Sequence, residues 1–448
     1  MGTSPEVVVI GAGICGIATA YHLAVRRGVS TVTIVDPRPP MTLTSDKSTE
    51  CYRNWWPTAP MIELMNRSID LLDALAASSP DAFPMTRQGY LYVTADARRL
   101  AEMRRAAERS SRDGAGPLRV HPGDDPYTMS PEAGSEVPSG ADLFIDGDAL
   151  RRAFGFVSQR AVGGIHVRRA GWLDAQRYGT WMLERARDAG ARLVRDEVVA
   201  IGGTRRVRNA ELRGGISLPC DVIVAAPGPL LADVGRLVDL ALAVRTETHL
   251  KMAFRDHLGV IPRDAPMCIW ADPQQIAWSD DEARGLAAMG RDDLVGGLPG
   301  GCHFRPEGGP DSRWVLGLWE YGATPVEPTF PIAVDPLYPE VVLRGLSSMV
   351  PGLAAYLDRL PEPVVDGGYY TAAPDNMPLV GPAGPDGFVV AGAVSGYGIM
   401  ASAAVGELVA LHVMGDDLPA YAASFLPRRF DDPAYVASLA DLGDTGQI

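Results

Sequence analysis

Three glycines near the start of the chain have the spacing of a phosphate-binding loop. Residues 10–16 read IGAGICG, which places Gly11, Gly13 and Gly16 in a G-x-G-x-x-G pattern. Glycines at these positions allow a tight turn, a close approach of the backbone to a pyrophosphate, and close packing of a helix on a strand. Asp36 lies 20 residues after Gly16, and its carboxylate can accept hydrogen bonds from a ribose 2′-hydroxyl. These residues predict a dinucleotide site.

The elements that must position this loop surround it in the sequence. Residues 7–10 (VVVI) predict a buried strand, a helical pattern follows to about Arg27, and Gly28 ends it. Residues 31–35 predict a second strand, which leads into Asp36. A lone G-x-G-x-x-G pattern is a weak signal, but strand, helix, second strand and terminal acid in this order favour nucleotide binding strongly. The helix N-terminus would supply free N–H groups for the phosphates.

The residues around the loop leave the identity of the dinucleotide open. Arg38 follows Asp36 by two residues and would suit the 2′-phosphate of NADP, whereas the Asp36 carboxylate would repel that phosphate. Cys15 lies within the loop, where we expect a small residue that fills a tight turn rather than a redox group.

A second stretch, residues 48–56 (STECYRNWW), places a cation among aromatic residues. The guanidinium of Arg53 is suited to a substrate carboxylate, because its two parallel N–H donors match the two oxygens. The alternatives are an ion pair with Glu50, three residues earlier, or a surface position. Trp55 and Trp56 are more typical of a core than of a binding cage.

The composition limits the classes of protein. The chain has 448 residues, with 46% hydrophobic and 21% charged residues, which is typical of a globular protein of two or three domains. Its net charge of −14 disfavours a nucleic-acid partner. No apolar run reaches the ~18 residues of a membrane span, and the N-terminus lacks the basic region of a signal peptide. The five scattered cysteines form no C-x-x-C motif, so we expect no metal site, no disulfide framework and a cytoplasmic location.

Six segments along the chain carry a family resemblance. They are GAGICG (11–16), GWLDAQ (171–176), DVIVAAPG (221–228), FRPEGG with VLGLWEYG (304–309 and 315–322), TAAPDNMPLVG (371–381) and AGAVSGYGIMASAAVGE (391–407). With these segments in this order, the chain resembles the D-amino-acid oxidase superfamily of FAD-dependent oxidoreductases, on the sarcosine oxidase and dimethylglycine dehydrogenase side. The resemblance covers nearly the whole chain.

The resemblance implies a binding site for FAD. The first glycine loop would hold the pyrophosphate, Asp36 the adenosine ribose, and the segment 45–49 would cross the pyrophosphate. The loop at residues 395–400 would lie along the isoalloxazine. The implied cofactor-binding residues are Gly11, Gly13, Ile14, Cys15, Gly16, Asp36, Pro37, Arg38, Ser45, Ser48, Thr49, Val198, Gly228, Gly396, Tyr397, Gly398, Ile399 and Met400.

The resemblance also implies an α/β fold of two domains. A Rossmann-like FAD-binding domain would be discontinuous, and a mainly antiparallel β-sheet would form the substrate domain. The strand-like residues 88–93 and 248–254 fit this sheet, and residues 272–300 predict a mixed insertion in which 280–290 are helical. The expected ranges are 1–80, 147–240 and 361–448 for the FAD-binding domain, and 81–146 and 241–360 for the substrate domain.

The implied reaction is oxidation of a CH–NH bond in an amine or an N-substituted amino acid, with a hydride passing to flavin N5 and an imine as product. Arg53 matches the position of the family's carboxylate-binding arginine. His303 is a candidate acid–base group and so is His249, while Trp319 and Tyr397 occupy positions at the flavin face. Arg53, His303, Trp319 and Tyr397 are therefore the candidate catalytic residues.

The sequence departs from the sarcosine oxidases at several matched positions. Val315 stands where the family has a lysine, Trp319 and Tyr397 where it has histidines, and Met400 where it has a second carboxylate-binding lysine. Gly368 matches the cysteine that carries the flavin, so we expect non-covalent FAD. These departures favour a bulkier or more apolar amine and leave oxygen or a redox protein as the electron acceptor.

Two alternatives to CH–NH oxidation stay open from the sequence. One is an FAD enzyme that acts on a CH–OH bond or performs an oxidative step in a biosynthetic pathway. The other is a flavin-bearing assembly or binding protein without turnover.

Overall fold

The structure is a computed structural model that describes residues 4–80, 82–121, 123, 126–129, 138–322 and 324–441. Its strands are, in chain order, β1 Val7–Ile10, β2 Val32–Val35, β3 Cys51–Arg53, β4 Tyr90–Thr94, β5 Leu118–His121, β6 Ala141–Phe144, β7 Gly163–Val167, β8 Ala170–Trp172, β9 Arg192–Val194, β10 Val198–Gly202, β11 Asn209–Leu212, β12 Ser217–Pro219, β13 Val222–Ala225, β14 Arg245–Arg255, β15 Met267–Trp270, β16 Gln274–Gln275, β17 Gly297–Leu298, β18 Cys302–Glu307, β19 Trp314–Leu318, β20 Val364–Ala372, β21 Leu379–Pro382 and β22 Phe388–Gly392. The α-helices are α1 Ile14–Tyr21, α2 Thr44–Lys47, α3 Ala59–Ser78, α4 Ala97–Ser110, α5 Gly147–Ala153, α6 Ala175–Asp188, α7 Leu231–Arg236, α8 Asp280–Ala288, α9 Tyr338–Met349, α10 Gly398–Met414 and α11 Pro433–Ser438.

A six-stranded sheet forms the centre of the nucleotide-binding part. Its order is β21-β22-β13-β1-β2-β9, and all neighbours are parallel except the edge pair β21–β22. All four residues of β1 are buried, as expected for a parallel strand that is covered on both faces. Val7 and Val9 pack with α1, α3, α6 and α10 on one face, whereas Val8 and Ile10 pack against the small sheet β10-β11-β12 on the other.

The predicted strand–helix–strand unit at the N-terminus is present. Strand β1 leads into α1, a π-helical turn continues the helix over His22–Arg26, and Gly28 follows with a φ of +70°. Strand β2 then pairs with β1 in parallel. The sequence prediction of this unit was correct to within a residue or two at each boundary.

A nine-stranded sheet forms the second part of the molecule. Its order is β20-β14-β19-β18-β15-β4-β7-β6-β5, and only the pairs β4–β15 and β5–β6 are parallel. The expected mixed α/β fold of two parts, with a mainly antiparallel second sheet, is confirmed. Strand 248–254 is longer than predicted, because β14 spans Arg245–Arg255, and the helical insertion is α8.

The domain boundaries drawn from the sequence remain a prediction. Strands β7 and β20 pair within the nine-stranded sheet, although residues 147–240 and 361–448 were assigned to the FAD-binding domain. A short antiparallel pair, β3 with β8, places Arg53 opposite Ala170. β3 follows α2 directly in the chain, and β8 directly follows β7 of the nine-stranded sheet, so this pair connects the segment 45–49 to the end of β7.

Candidate active site

The glycine loop between β1 and α1 has room for no side chain at two positions. A Cβ at Gly11, whose φ is +105°, would lie 2.3 Å from the carbonyl oxygen of Ala226, and a Cβ at Gly16 would lie 2.0 Å from the carbonyl oxygen of Gly11. Contacts this short require the absence of a side chain. The loop therefore brings bare backbone to the carboxyl end of β1, where doubly wound sheets bind nucleotides.

Two polar side chains lie at this loop. Asp36, directly after β2, accepts hydrogen bonds from the backbone N–H groups of Ala12 and Arg38, both at 2.8 Å. The hydroxyl of Ser45 accepts a hydrogen bond from Ile14 N at the start of α1, at 3.0 Å. The acidic residue, the glycine loop and a helix N-terminus thus meet at one point, and this donor and acceptor set fits a dinucleotide.

The second loop, at the start of α10, lies beside the first. Gly398 begins α10, and a Cβ there would lie 3.9 Å from Cγ2 of Ile14. Further along, α10 and α1 are in close contact, since a Cβ at Gly406 would lie 2.6 Å from the backbone carbon of Ala18. The structure therefore brings Gly396, Tyr397, Gly398, Ile399 and Met400 to the first loop, although they are far apart in sequence.

The other predicted cofactor residues occupy the surroundings. Val198 begins β10, Gly228 follows β13 with a φ of +61°, and the guanidinium of Arg38 lies 4.6 Å from the centre of the Phe330 ring. Pro37 lies between Asp36 and Arg38 in the turn after β2. Cys15 is buried, and burial raises the pKa of its thiol to about 12, so it stays protonated and fills space in the turn.

A cavity of about 50 Å³ lies between the second loop and the nine-stranded sheet. We call it the inner cavity. It brings together all four candidate catalytic residues with the second loop and with Thr49 of the segment 45–49. Its lining residues are Thr49, Arg53, Trp56, Tyr90, His249, Leu250, Met267, His303, Leu318, Trp319, Glu320, Tyr370, Gly396, Tyr397 and Met400.

Arg53 is a buried cation in the wall of the inner cavity. Its exposed fraction is 3%, which excludes the surface position considered from the sequence. The guanidinium lies 4.3 Å from the centre of the Trp56 ring, and its Nη1 donates a hydrogen bond to the hydroxyl of Tyr92 at 3.2 Å. Aromatic contact and hydrogen bond together fix the orientation of the group.

The pKa values of the two histidines at the cavity are shifted in opposite directions. Nδ1 of His303 donates to the carbonyl of Gly301 at 2.7 Å, and burial lowers the pKa of this imidazole to about 4, so it is neutral at pH 7. Burial also lowers the pKa of His249, but the carboxylates of Glu247 and Glu320 reverse this and raise its pKa above the ordinary value. Nδ1 of His249 lies 3.0 Å from Glu320.

Trp319 and Tyr397 use their polar atoms elsewhere. The indole N–H of Trp319 donates to the carbonyl of Pro299 at 3.1 Å, and the hydroxyl of Tyr397 donates to the carbonyl of Asn376 at 2.8 Å. The ring of Tyr397 packs edge-on against Trp56, with 5.1 Å between ring centroids. The rings of these two side chains therefore form part of the wall of the inner cavity.

The structure adds a charged group that the sequence did not single out. Nζ of Lys251 donates to the carbonyls of Asp46 and Ser48, at 3.1 and 3.0 Å, and burial lowers the pKa of this amine. Nε of Arg305 donates to the carbonyl of Thr49 at 2.7 Å. Strand alternation was the available signal, because Lys251 shares one face of β14 with His249 and Arg305 shares one face of β18 with His303.

Glu50 lies in the same group. Its carboxylate is 3.5 Å from Nη2 of Arg305, and its φ of +61° is uncommon for a residue with a side chain. Burial raises the pKa of this carboxyl to about 7, although the charge of Arg305 lowers it. Glu50 is therefore a titratable group near neutral pH, directly beside the segment 45–49.

Val315 does not stand where a lysine at the site would stand. It pairs with Phe254 across β19 and β14 and packs with Met252 in the core of the nine-stranded sheet. Leu318, three residues later, points to the opposite face and lines the inner cavity. A lysine at Val315 would point away from the inner cavity, and the match of Val315 with the family's lysine stays a prediction.

The described residues contain neither a candidate metal site nor a candidate membrane-spanning helix. Among the described ranges, no group of three or more histidine, cysteine, aspartate and glutamate side chains is arranged to hold a metal ion. Within the same ranges, no helix is both long and apolar enough to cross a membrane.

Comparisons with known proteins agree with this geometry. The family described as DAO, FAD dependent oxidoreductase, matches residues 6–411. Similar solved structures include L-proline dehydrogenase from P. horikoshii (TM-score 0.73, 18% identity, 96% of this chain and 99% of that chain covered) and glycine oxidase from Geobacillus kaustophilus (0.71, 18%, 95% and 98%). Iminodiacetate oxidase from Chelativorans sp. BNC1 is also similar (0.68, 21%, 94% and 98%). The search of curated protein sequences gave no significant match.

Proposed function

Since the chain belongs to the DAO family of FAD-dependent oxidoreductases, we propose that it oxidises the CH–NH bond of an N-substituted amino acid to an imine. The observation that carries this proposal is the buried guanidinium of Arg53 in the wall of a cavity that also contains His249, Glu320 and His303. A fixed cation beside acid–base groups suits a substrate that has both a carboxylate and an amine.

The chain's own residues fit the cofactor. We propose that the glycine loop and the start of α1 hold the pyrophosphate of FAD, that Asp36 holds the adenosine ribose, and that Gly396–Met400 lies along the flavin. When bound, the flavin accepts the hydride that the substrate loses. Gly368 offers no nucleophile for a covalent link, so we propose that FAD is held without one.

Arg53 binds the substrate carboxylate in this proposal. The Trp56 ring and the Tyr92 hydroxyl hold its guanidinium in one orientation, so little side-chain entropy is lost when a carboxylate binds. The carboxylate in turn fixes the position of the neighbouring C–H bond, and positioning of this kind supplies a large part of a rate enhancement.

His249 and Glu320 control the proton of the amine in this proposal. A secondary amine arrives as an ammonium ion at pH 7, and it must lose a proton before the C–H bond can be oxidised. Glu320 lies 3.0 Å from His249 Nδ1 and orients the imidazole. The neutral form of His249 accepts the ammonium proton, and the carboxylates that raise its pKa stabilise the imidazolium that forms. Neutral His303, whose Nδ1 is bound to Gly301, presents Nε2 as an acceptor for the amine N–H.

The aromatic and apolar side chains exclude water from the reacting atoms. Trp319, Tyr397, Leu318 and Met400 line the inner cavity and are all nearly inaccessible to solvent. Their exclusion of water strengthens the contacts of Arg53 with a carboxylate. The electron acceptor, oxygen or a redox protein, stays a prediction, as do the cytoplasmic location and the absence of a nucleic-acid partner.

Anaerobic flavin reduction with matched substrates tests this function. We expect N-methyl amino acids to bleach the oxidised flavin absorbance near 450 nm, and the matching decarboxylated amines to react more slowly. Bleaching by alcohols alone would instead favour CH–OH oxidation, and no bleaching by any of these compounds would favour a binding protein without turnover.

The variant Arg53→Ala tests the role of the guanidinium. For the carboxylated substrate, we expect the fall in kcat/KM to correspond to a loss of about 2–3 kcal/mol of transition-state stabilisation, the scale of a hydrogen bond to a charged group. The kcat/KM for the decarboxylated amine should change little. Arg53→Lys keeps the charge without the fork and should recover part of the loss. Equal FAD content in all three proteins controls for folding, and equal losses on both substrates would contradict carboxylate binding by Arg53.

A further inference from the structure

A second, much larger cleft lies on the other side of Arg53. Its volume is about 1120 Å³, and we call it the outer cleft. It runs between α4 and the face of the nine-stranded sheet. Arg53 and Trp56 line both the outer cleft and the inner cavity, so these two side chains form the boundary between them.

The inner cavity is too small for a bulky amine. Its volume of about 50 Å³ has room for only a few non-hydrogen atoms, since a water molecule in the liquid takes ~30 Å³. The reacting carbon and nitrogen fit there, but a large substituent does not. The outer cleft, at about 1120 Å³, is slightly larger than the usual ligand site of ~300–1,000 Å³, and it begins at Arg53.

The acidic residues of the outer cleft already have partners. Asp96 accepts a hydrogen bond from Arg98 N at the start of α4, and Glu102 lies 3.5 Å from Arg99. Asp272 accepts hydrogen bonds from Thr94 Oγ1 at 2.5 Å and Ala95 N at 2.6 Å. The donors to Asp96 and Asp272 are neutral, so these carboxylates keep their charge, but the cleft lining has five arginines against three acidic residues and keeps an excess of positive charge.

Three arginines at the mouth of the outer cleft carry that charge. Arg105, Arg109 and Arg160 line the cleft and are exposed. None of the three forms an ion pair with a carboxylate in the described part of the chain. In a protein with a net charge of −14, a concave surface with this excess of cations selects an anion.

The floor of the outer cleft is aromatic. Trp270 is fully buried, Trp55 is half-buried, and both line the cleft with Tyr92. The guanidinium of Arg160 lies 5.9 Å from the centre of the Trp270 ring. The partly exposed rings of Trp55 and Tyr92, beside the guanidinium groups of the cleft, suit a planar group with a negative charge.

We propose that the outer cleft binds a planar, acid-bearing substituent on the nitrogen of the substrate. The substrate class is then an N-arylalkyl amino acid with a second acidic group at its far end. Arg53 holds the amino-acid carboxylate at the boundary, and the CH–NH group lies in the inner cavity. The substituent lies along Trp55 and Tyr92, with its acid at Arg105, Arg109 and Arg160. This assignment rests on the proposed function for the choice of reacting group.

A binding measurement tests the outer cleft without turnover. The probe is terephthalate, a planar dicarboxylate with no oxidisable C–H beside nitrogen, titrated into the FAD-loaded protein by calorimetry, with 4-methylbenzoate as the singly charged comparison. We expect terephthalate to bind more tightly. The double variant Arg109→Gln/Arg160→Gln should weaken terephthalate binding by about fivefold or more, the scale for a pair of exposed charges, and added salt should reduce the difference.

The matched control removes two arginines from the same helical region outside the cleft. Arg98 and Arg112 are exposed and do not line the outer cleft, so Arg98→Gln/Arg112→Gln should leave the terephthalate affinity unchanged. Equal losses in the two double variants, or equal affinities for terephthalate and 4-methylbenzoate, would overturn the proposal.

A substrate pair then links the cleft to the reaction. N-(4-Carboxybenzyl)glycine should reduce the flavin at a lower half-saturating concentration than N-benzylglycine, and Arg109→Gln/Arg160→Gln should abolish that preference. If both amines reduce the flavin equally well, the outer cleft proposal fails and the proposed function stands. If terephthalate binding depends on the two arginines but no amine reduces the flavin, the proposed function fails and the anion site stands.

Discussion

Replacement of Glu50 by glutamine tests whether burial or the ion pair dominates at this residue. Glutamine keeps the shape of the side chain and removes the charge. The backbone strain at a φ of +61° is common to both residues, so it cancels in the comparison. Two effects with opposite signs remain. Burial disfavours the carboxylate, whereas Arg305, 3.5 Å away, favours it.

The magnitude follows from the pKa. Burial raises the pKa of Glu50 from 4.5 to about 7, against the opposing charge of Arg305. Between these two pH values the folded protein holds a proton that the unfolded chain releases. The contribution of the group to stability is therefore complete below pH 4.5 and is lost as the pH rises to about 7. At ~1.36 kcal/mol per pKa unit, the loss is roughly 3 kcal/mol.

The assay is equilibrium unfolding in urea, with saturating FAD, from pH 4.5 to 8.5. We expect wild type and Glu50→Gln to have similar free energies of unfolding at pH 4.5. The variant should become more stable than wild type as the pH rises, by roughly 3 kcal/mol at pH 8. Glu63, an exposed residue of α3, gives the control, because Glu63→Gln should follow the wild-type dependence on pH.

One result would refute the reasoning. If Glu50→Gln were less stable than wild type at pH 8, and the deficit grew with pH, the attraction between Glu50 and Arg305 would exceed the cost of burial. The geometry favours the opposite outcome. Nη1 of Arg305 lies 2.6 Å from Glu307, closer than any approach of Arg305 to Glu50, so much of the charge of Arg305 is already compensated.

Two further substitutions test the elements that position the cofactor. Gly16→Ala would place a Cβ 2.0 Å from the carbonyl oxygen of Gly11, so we expect the purified protein to lose FAD. The ratio of flavin to protein absorbance should fall by about tenfold or more, and a normal ratio would contradict the fit of the loop to FAD. Lys251→Met removes the donor to the carbonyls of Asp46 and Ser48, so we expect the free energy of unfolding to fall by about 1–3 kcal/mol. The affinity for FAD in an equilibrium titration should also be weaker, and an unchanged affinity would show that this amine does not support the segment 45–49.

The local sequence predicted the nucleotide-binding part well, because its signals are local. Gly11, Gly13, Gly16 and Asp36 lie within a stretch of 26 residues, and each is required by a turn, a close contact or a strand end. Arg53 followed from a match of sequence positions, and the structure places it in a cavity wall. Four residues that the resemblance singled out, Arg53, His303, Trp319 and Tyr397, line one cavity, and their catalytic roles stay a prediction.

The other features of the candidate site depend on strand pairing, which the sequence does not specify. Val315 was taken as the position of a missing lysine, but its place opposite Phe254 turns it into the core. Lys251 and Arg305 were missed because their roles arise from long-range contacts with the carbonyls of Ser48 and Thr49. The raised pKa of Glu50 likewise depends on a burial that outweighs the opposing charges of Lys251 and Arg305, and no spacing in the sequence reveals that burial.

The cations at residues 46–53 have two separate roles, one for Lys251 and Arg305 and the other for Arg53. Lys251 and Arg305 bind the carbonyls of Asp46, Ser48 and Thr49, so their charges hold the backbone of this segment against the nine-stranded sheet. Arg53, on β3, points its guanidinium to Trp56 and Tyr92 at the boundary of the two cavities. Because the first two cations fix the backbone from which β3 begins, they determine where Arg53 stands. A substitution at Arg305 should therefore displace β3 together with Arg53 and raise KM for carboxylated amines, whereas a substitution at Arg53 removes the guanidinium without moving the backbone.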